Sequence, residues 1–238
     1  MSLTSTNIKK YLKSKDSSFK LFDIKYTEEE KQTINNFKID NEINFSYKIS
    51  ADKKYYQLLY KFIESIGNND EKDITIIINI IYKLLDTISK AWNSNITLNI
   101  QIMLPNNKPY LPVWHIDNIN GESNLKFITV LRGSGTLFID NNKAKKAYFE
   151  IEDLMINEIQ NKKKLDIIKF FNKYDKIKAK KLGDYKIVQP KNNQGIIFSP
   201  SKVQSVINGL VIPERTNASQ IHAVPNIKEK RFFISIQT

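Results

Sequence analysis

Cysteine is absent from all 238 residues. That excludes a disulfide framework, a thiolate zinc site, an iron–sulfur cluster and a cysteine nucleophile together. Histidine is almost absent, so imidazole chemistry must use His115, His222 or both. Seven glycines and seven prolines are too few for a low-complexity chain. A long uncharged run is missing too. The most apolar stretch, Ile74 to Trp92, carries Lys83, Asp86 and Lys90, which argues against a membrane span. The opening Met1-Ser2-Leu3-Thr4-Ser5 shows no basic region followed by an apolar run. The expectation is a soluble, intracellular, cytoplasmic protein.

Hydrophobic residues make up 41% of the chain and charged residues 26%, which excludes wholesale disorder and permits a substantial core. The length fits one domain with elaborations, or two small ones. The net charge of +12 favours an acidic or anionic partner, or solvated lysine-rich faces, without choosing between them.

Periodicity divides the chain. Residues 1–95 read as a helical region. Lys53 to Ile66 places Tyr56, Leu58, Leu59, Phe62 and Ile66 at helical spacing. Asp73 to Trp92 carries Ile74, Ile77, Ile78, Ile81, Leu84, Leu85 and Ile88, the i, i+3, i+4, i+7 pattern of one buried face. After Asn95 the period falls to two. Thr97 to Leu104 alternates apolar Leu98, Ile100, Ile102 and Leu104 with Thr97, Asn99, Gln101 and Met103. Further strands are predicted at Val113–Asp117, Leu125–Leu131, Thr136–Asp140, Gly195–Phe198, Gln220–Val224 and Arg231–Gln237. Short strands with turns between them suggest an antiparallel sandwich or barrel, with the preceding helices bracing one face. Residues 143–191 interrupt the strands with two helix-like segments, Ile151–Ile159 and Leu165–Leu182. This insert holds fourteen lysines against seven acidic residues. It is expected to pack outside the barrel, either as a solvated excursion or as a basic lid over the site.

The stretch that carries chemistry is Trp114-His115-Ile116-Asp117-Asn118. On a strand, i and i+2 share a face, so His115 and Asp117 would present an imidazole and a carboxylate side by side. Those are two of the three groups of the facial triad that holds non-heme Fe(II). His222 lies in a second strand-like segment, and Arg231 opens the last strand. Pro225-Asn226-Ile227-Lys228 reads as a turn between them, so a hairpin would set His222 opposite Arg231. Strand parity turns Arg231, Phe233 and Ser235 inward and Phe232, Ile234 and Ile236 toward the helices. A desolvated guanidinium calls for an anion, and a carboxylate pairs with it fork to fork.

The order H-x-D, a long gap, H, then R on the final strand resembles the Fe(II)- and 2-oxoglutarate-dependent dioxygenase superfamily. The resemblance covers Thr97 to Thr238 without the insert. It implies an α+β fold: a double-stranded β-helix, or jelly-roll barrel, over 96–238, braced by N-terminal helices and carrying the helical insert 143–191. It implies that His115, Asp117 and His222 are the catalytic iron ligands and that Arg231 binds the distal carboxylate of 2-oxoglutarate. Gln101, on the polar face of its strand, is a further candidate for the cosubstrate. The implied activity is hydroxylation or oxidative demethylation of a substrate the sequence does not identify, with 2-oxoglutarate and O2 as cosubstrates. Halogenating members lack the carboxylate ligand, which Asp117 supplies here. Nucleic-acid demethylating members carry two arginines after the distal histidine, and Lys228 stands where the first would be. The cupins, which share the barrel, usually show an H-x-H pair. Two other readings stand beside this one: a non-catalytic basic module for nucleic acid or another polyanion, and a barrel metalloenzyme that does not use 2-oxoglutarate.

Overall fold

The protein is described by a computed structural model covering residues 1–14, 19–49, 54–106, 110–119, 125–161, 166–207, 210–215 and 220–238. Its elements in chain order are α1 (Ser5–Ser14), β1 (Phe19–Asp23), α2 (Glu28–Asn36), β2 (Asn44–Ile49), α3 (Lys54–Glu64), α4 (Glu71–Trp92), β3 (Ile96–Met103), β4 (His115–Ile116) and β5 (Asn118–Ile119). There follow β6 (Lys126–Arg132), β7 (Leu137–Ile139), α5 (Asn142–Asn161), α6 (Ile167–Leu182), β8 (Ile187–Val188), β9 (Gln194–Phe198), β10 (Ser201–Ile207), β11 (Leu210–Pro213), β12 (Ile221–Ala223) and β13 (Arg231–Gln237).

The helices begin and end where the side chains can satisfy free backbone groups. Asp70 caps α4 by accepting from the Asp73 amide, and Asn93 closes it in the left-handed conformation at φ 51°. Thr27 and Glu30 form a reciprocal capping box on α2. Lys83 of α4 pairs with the buried Glu30 carboxylate and ties the two helices together. The α4 stripe from Ile74 to Ile88 is buried in a cluster shared with Leu98, Ile100, Ile102, Phe232, Ile234 and Ile236. Each such side chain contributes about 1.5–3 kcal/mol on burial, so this stripe fixes the helical layer to the sheet.

That sheet has six strands in the order β1-β9-β6-β13-β3-β2, all antiparallel. A four-stranded antiparallel sheet runs β4-β12-β7-β8, and a three-stranded one runs β11-β10-β5 with β5 parallel to β10. Asn142–Asn161 and Ile167–Leu182 form the two helices of the insert. Ala144, Ala147, Tyr148 and Leu182 pack on Trp114, Ile116, Ile139, Ile221 and Ala223, covering the outer face of the four-stranded sheet.

Three features depart from the sequence reading. The N-terminal third is not purely helical, because β1 and β2 form the two edges of the large sheet. Phe45, Tyr47 and Ile49 of β2 alternate with polar residues, a period-two signal that was open to reading. The insert region returns to the small sheet at β8, short of residue 191. And β12 and β13 do not form a hairpin. Both edges of β12 are taken by β4 and β7, and both edges of β13 by β3 and β6. No edge is left for the two to pair, and the chain between them crosses from one sheet to the other.

Candidate metal centre

Strand alternation sets the site. In β12, Ile221 and Ala223 face the insert, and His222 faces the opposite way, toward the large sheet. The β12–β4 register pairs His222 with His115, and the two rings lie 4.3 Å apart. Asp117, two residues after His115, completes the group. His222 Nε2 is 3.4 Å from Asp117 Oδ2, and His115 Nε2 is 3.8 Å from Asp117 Oδ1. One ligand atom from each residue lies within 4.8 Å of the others. Donors held ~2 Å from one ion are themselves ~3–4 Å apart, so modest closure of this group would seat a metal.

The donor chemistry fits as well. His115 Nδ1 faces the Val113 carbonyl at 2.9 Å, and His222 Nδ1 faces the Gln220 carbonyl at 3.1 Å. Each Nδ1 therefore donates to a carbonyl, which leaves each Nε2 as the nitrogen turned toward a metal. Burial of the His115 ring, reinforced by the neighbouring His222, pushes its pKa down to about 4, so the ring is neutral at physiological pH. Burial alone would raise the Asp117 carboxyl. The adjacent His222 ring and Lys126 ammonium outweigh it and hold the group well below the usual carboxylate range. Two imidazoles and one carboxylate are the two-histidine, one-carboxylate set that suits Fe(II).

Lys126, at the start of β6, donates to Asp117 Oδ2 at 2.6 Å. Nothing in the local pattern singles it out among 37 basic residues. The Asp117 backbone is also fixed, since its carbonyl accepts from the Ser201 amide at 2.9 Å. Phe138 and Phe198 flank the His222 ring at 5.6 and 5.4 Å. They belong to a cluster between the sheets that also includes Ile128, Ile196 and Phe233.

Arg231 is 1% exposed. Its guanidinium stacks over Phe233 at 4.7 Å, so it looks into the same space between the sheets as His222. Nε donates to the Ser134 carbonyl at 2.9 Å and one terminal nitrogen to Thr136 Oγ1 at 3.0 Å. The other terminal nitrogen meets only Met103 Sδ, at 3.4 Å, a weak acceptor. Among the described residues no carboxylate pairs with it. Burial pushes its pKa down to about 10. The Gly133 turn makes this cradle. Gly133 has φ +91°, and a side chain there would collide with the backbone of Lys230 and Arg231. In sequence, Thr136 was read only as the start of a strand, with no part in binding.

Gln101 lies opposite Phe233 in the β3–β13 register and shares its side of the sheet, but it is exposed. It is not part of the His–Asp–His group. Trp114 is buried with the insert on the far face of the small sheet.

No protein-family model and no curated protein matches the sequence. Solved structures do. The structures this chain resembles are 2-oxoglutarate- and Fe(II)-dependent oxygenases. One is a prolyl-4-hydroxylase from Pseudomonas putida, 7% identical at a TM-score of 0.40, matched over 100% of this chain and 95% of that one. A 2OG-Fe(II) oxygenase family oxidoreductase from Burkholderia pseudomallei is 9% identical at 0.41, over 98% and 88%. A rice dioxygenase for auxin oxidation is 8% identical at 0.46, over 98% and 77%. Similarity this distant carries no weight by itself, and the functional reading rests on this chain's own side chains.

Proposed function

We propose that the protein is an Fe(II)- and 2-oxoglutarate-dependent oxygenase built on a double-stranded β-helix, with the helical insert 142–182 laid on the outside of the smaller sheet. The observation that carries this reading is the His115–Asp117–His222 group facing the same intersheet space as a buried arginine that has no carboxylate partner among the described residues. His115 Nε2, Asp117 and His222 Nε2 would hold the iron on one side and leave the other open. Bound iron, with 2-oxoglutarate and O2, supplies the oxidising chemistry that hydroxylates or oxidatively demethylates a substrate.

The chain's own residues do the rest. Val113 and Gln220 fix the two imidazole tautomers through their carbonyls. Lys126 holds one oxygen of Asp117, which favours ligation through the other. Arg231 presents a desolvated fork to the distal carboxylate of 2-oxoglutarate, and Ser134 and Thr136 orient it. Phe138, Phe198 and Phe233 line the space between and keep it dry. Gln101, on the same side of the sheet, is a candidate for contact with the cosubstrate or substrate near the opening.

The test is anaerobic reconstitution with Fe(II) and 2-oxoglutarate. The visible charge-transfer band of the ternary complex is expected, and it should be absent from Asp117→Ala. A metal complex that ignores 2-oxoglutarate would support a barrel metalloenzyme of another kind. No metal uptake at all would remove the enzyme reading.

A further inference from the structure

The two oxygens of Asp117 stand in different surroundings. Oδ2 accepts from the Lys126 ammonium at 2.6 Å and lies 3.4 Å from His222 Nε2. Oδ1 lies 3.8 Å from His115 Nε2 and meets no ammonium or guanidinium among the described residues. The Lys126 and Asp117 side chains are only 19% and 21% exposed. A charge pair this enclosed is screened far less than one on an open surface.

The origin of the lysine keeps it there. Lys126 opens β6, an internal strand, and pairs with Phe198 of β9 on one side and Gln237 of β13 on the other. Phe127 packs on the helical face and Ile128 between the sheets, so strand alternation aims Lys126 between the sheets as well. Its side chain crosses from the large sheet to the residue that follows β4. A strand held on both edges cannot slide without breaking two ladders, so the backbone end of this reach is fixed.

An ammonium has three donors and no acceptor. It can bond a carboxylate oxygen and cannot itself ligate a metal. A metal drawing on both oxygens would have to share Oδ2 with that ammonium, setting two cations against one oxygen in a poorly screened place. A metal on Oδ1 alone stands further from the ammonium.

We infer that Lys126 is a positioning residue that confines Asp117 to ligation through Oδ1, and so keeps free a coordination position that a two-oxygen carboxylate would fill. This rests on the metal reading of the triad and deepens it. On that reading three positions must stay open, two for the 2-oxo acid end of 2-oxoglutarate and one for O2.

Nitric oxide is the probe, added anaerobically to the full chain loaded with Fe(II) and 2-oxoglutarate and followed by electron paramagnetic resonance. It needs the third position. The unaltered protein should give the signal. Lys126→Met is expected to keep the visible Fe(II)–2-oxoglutarate band and lose the nitric oxide signal, and Lys126→Arg, which returns a cation to the place, should regain it. A nitric oxide signal of parental strength in Lys126→Met would overturn the inference. So would loss of the visible band together with that signal, the mark of a lysine that only holds the fold. Should Lys126→Met not fold, the infrared difference between Zn(II)-loaded and metal-free unaltered protein decides. Ligation through one oxygen widens the separation of the two carboxylate stretches, which is expected, and a narrowed separation overturns the inference. That measurement needs no 2-oxoglutarate, so it tests Lys126 even where the cosubstrate reading fails. If the unaltered protein takes up neither Fe(II) nor Zn(II), the metal reading itself falls, an outcome distinct from a loaded parent and a variant that behaves like it.

Discussion

Arg231 is the side chain whose surroundings most need a ligand. A guanidinium offers five N–H donors, and the described contacts give it one carbonyl, one hydroxyl and one thioether. Arg231→Leu should leave Fe(II) affinity nearly unchanged, since no ligand is lost. It should weaken 2-oxoglutarate by about 2–5 kcal/mol, the cost of breaking a desolvated charge pair, measured by titration of the iron-loaded protein. Arg231→Lys should recover only part of that, because lysine keeps the charge without the fork. If Arg231→Leu binds 2-oxoglutarate like the parent, the cosubstrate site lies elsewhere. At this scale the sequence was most legible where residue types are scarce. Two histidines in the whole chain left no choice, and the i, i+2 spacing put Asp117 beside one of them. Lys126 was hidden for the converse reason, since lysine is everywhere. Thr136 was hidden because its contact with Arg231 depends on which strand comes to lie against it, and no local pattern records that.

Helices in this chain were readable in part: α3, α4 and α6 stand close to where they were expected, whereas α1 and α2 were not singled out and α5 runs Asn142–Asn161 where Ile151–Ile159 was expected. α4 was expected over Asp73–Trp92 and runs Glu71–Trp92, because its apolar stripe and the Asp70 cap are both local signals. The α2 box is equally local, and its removal has a predictable cost. Thr27→Ala should destabilise the protein by ~1 kcal/mol, readable as a shift in the urea midpoint at constant slope. A larger loss would mean that Glu30, released from the Thr27 amide, also loses its place beside Lys83. Strands were less legible. β4 occupies only His115–Ile116 where five residues were expected, and β10 and β11 were not anticipated. The turn after β12 has the composition of a hairpin, yet it carries the chain across to the other sheet. Turn residues fix the local bend. Which edge is free to accept a strand is settled by partners up to a hundred residues away.

For the molecule as a whole, the insert is part of the core. Its Ala144, Ala147, Tyr148 and Leu182 complete the cluster that buries Trp114 and Ile116. Excising residues 142–182 should therefore lower the melting temperature sharply and expose apolar surface to a dye such as ANS. A shortened protein that melts like the parent would show the helices to be an independent appendage. The strand order has a further consequence, for how the protein comes into being. β13 is the last of the described strands to be synthesised, yet it lies in the middle of the large sheet, between β6 and β3. Until it emerges from the ribosome, two half-sheets wait with open edges and the apolar stripe of α4 is only partly covered. Chains that must delay long-range pairing fold slowly and expose sticky surface meanwhile. His222 of β12 and Arg231 of β13 thus take their places in the same late event, so on the proposed reading a nascent chain has no assembled site to load with metal before its sheets have closed.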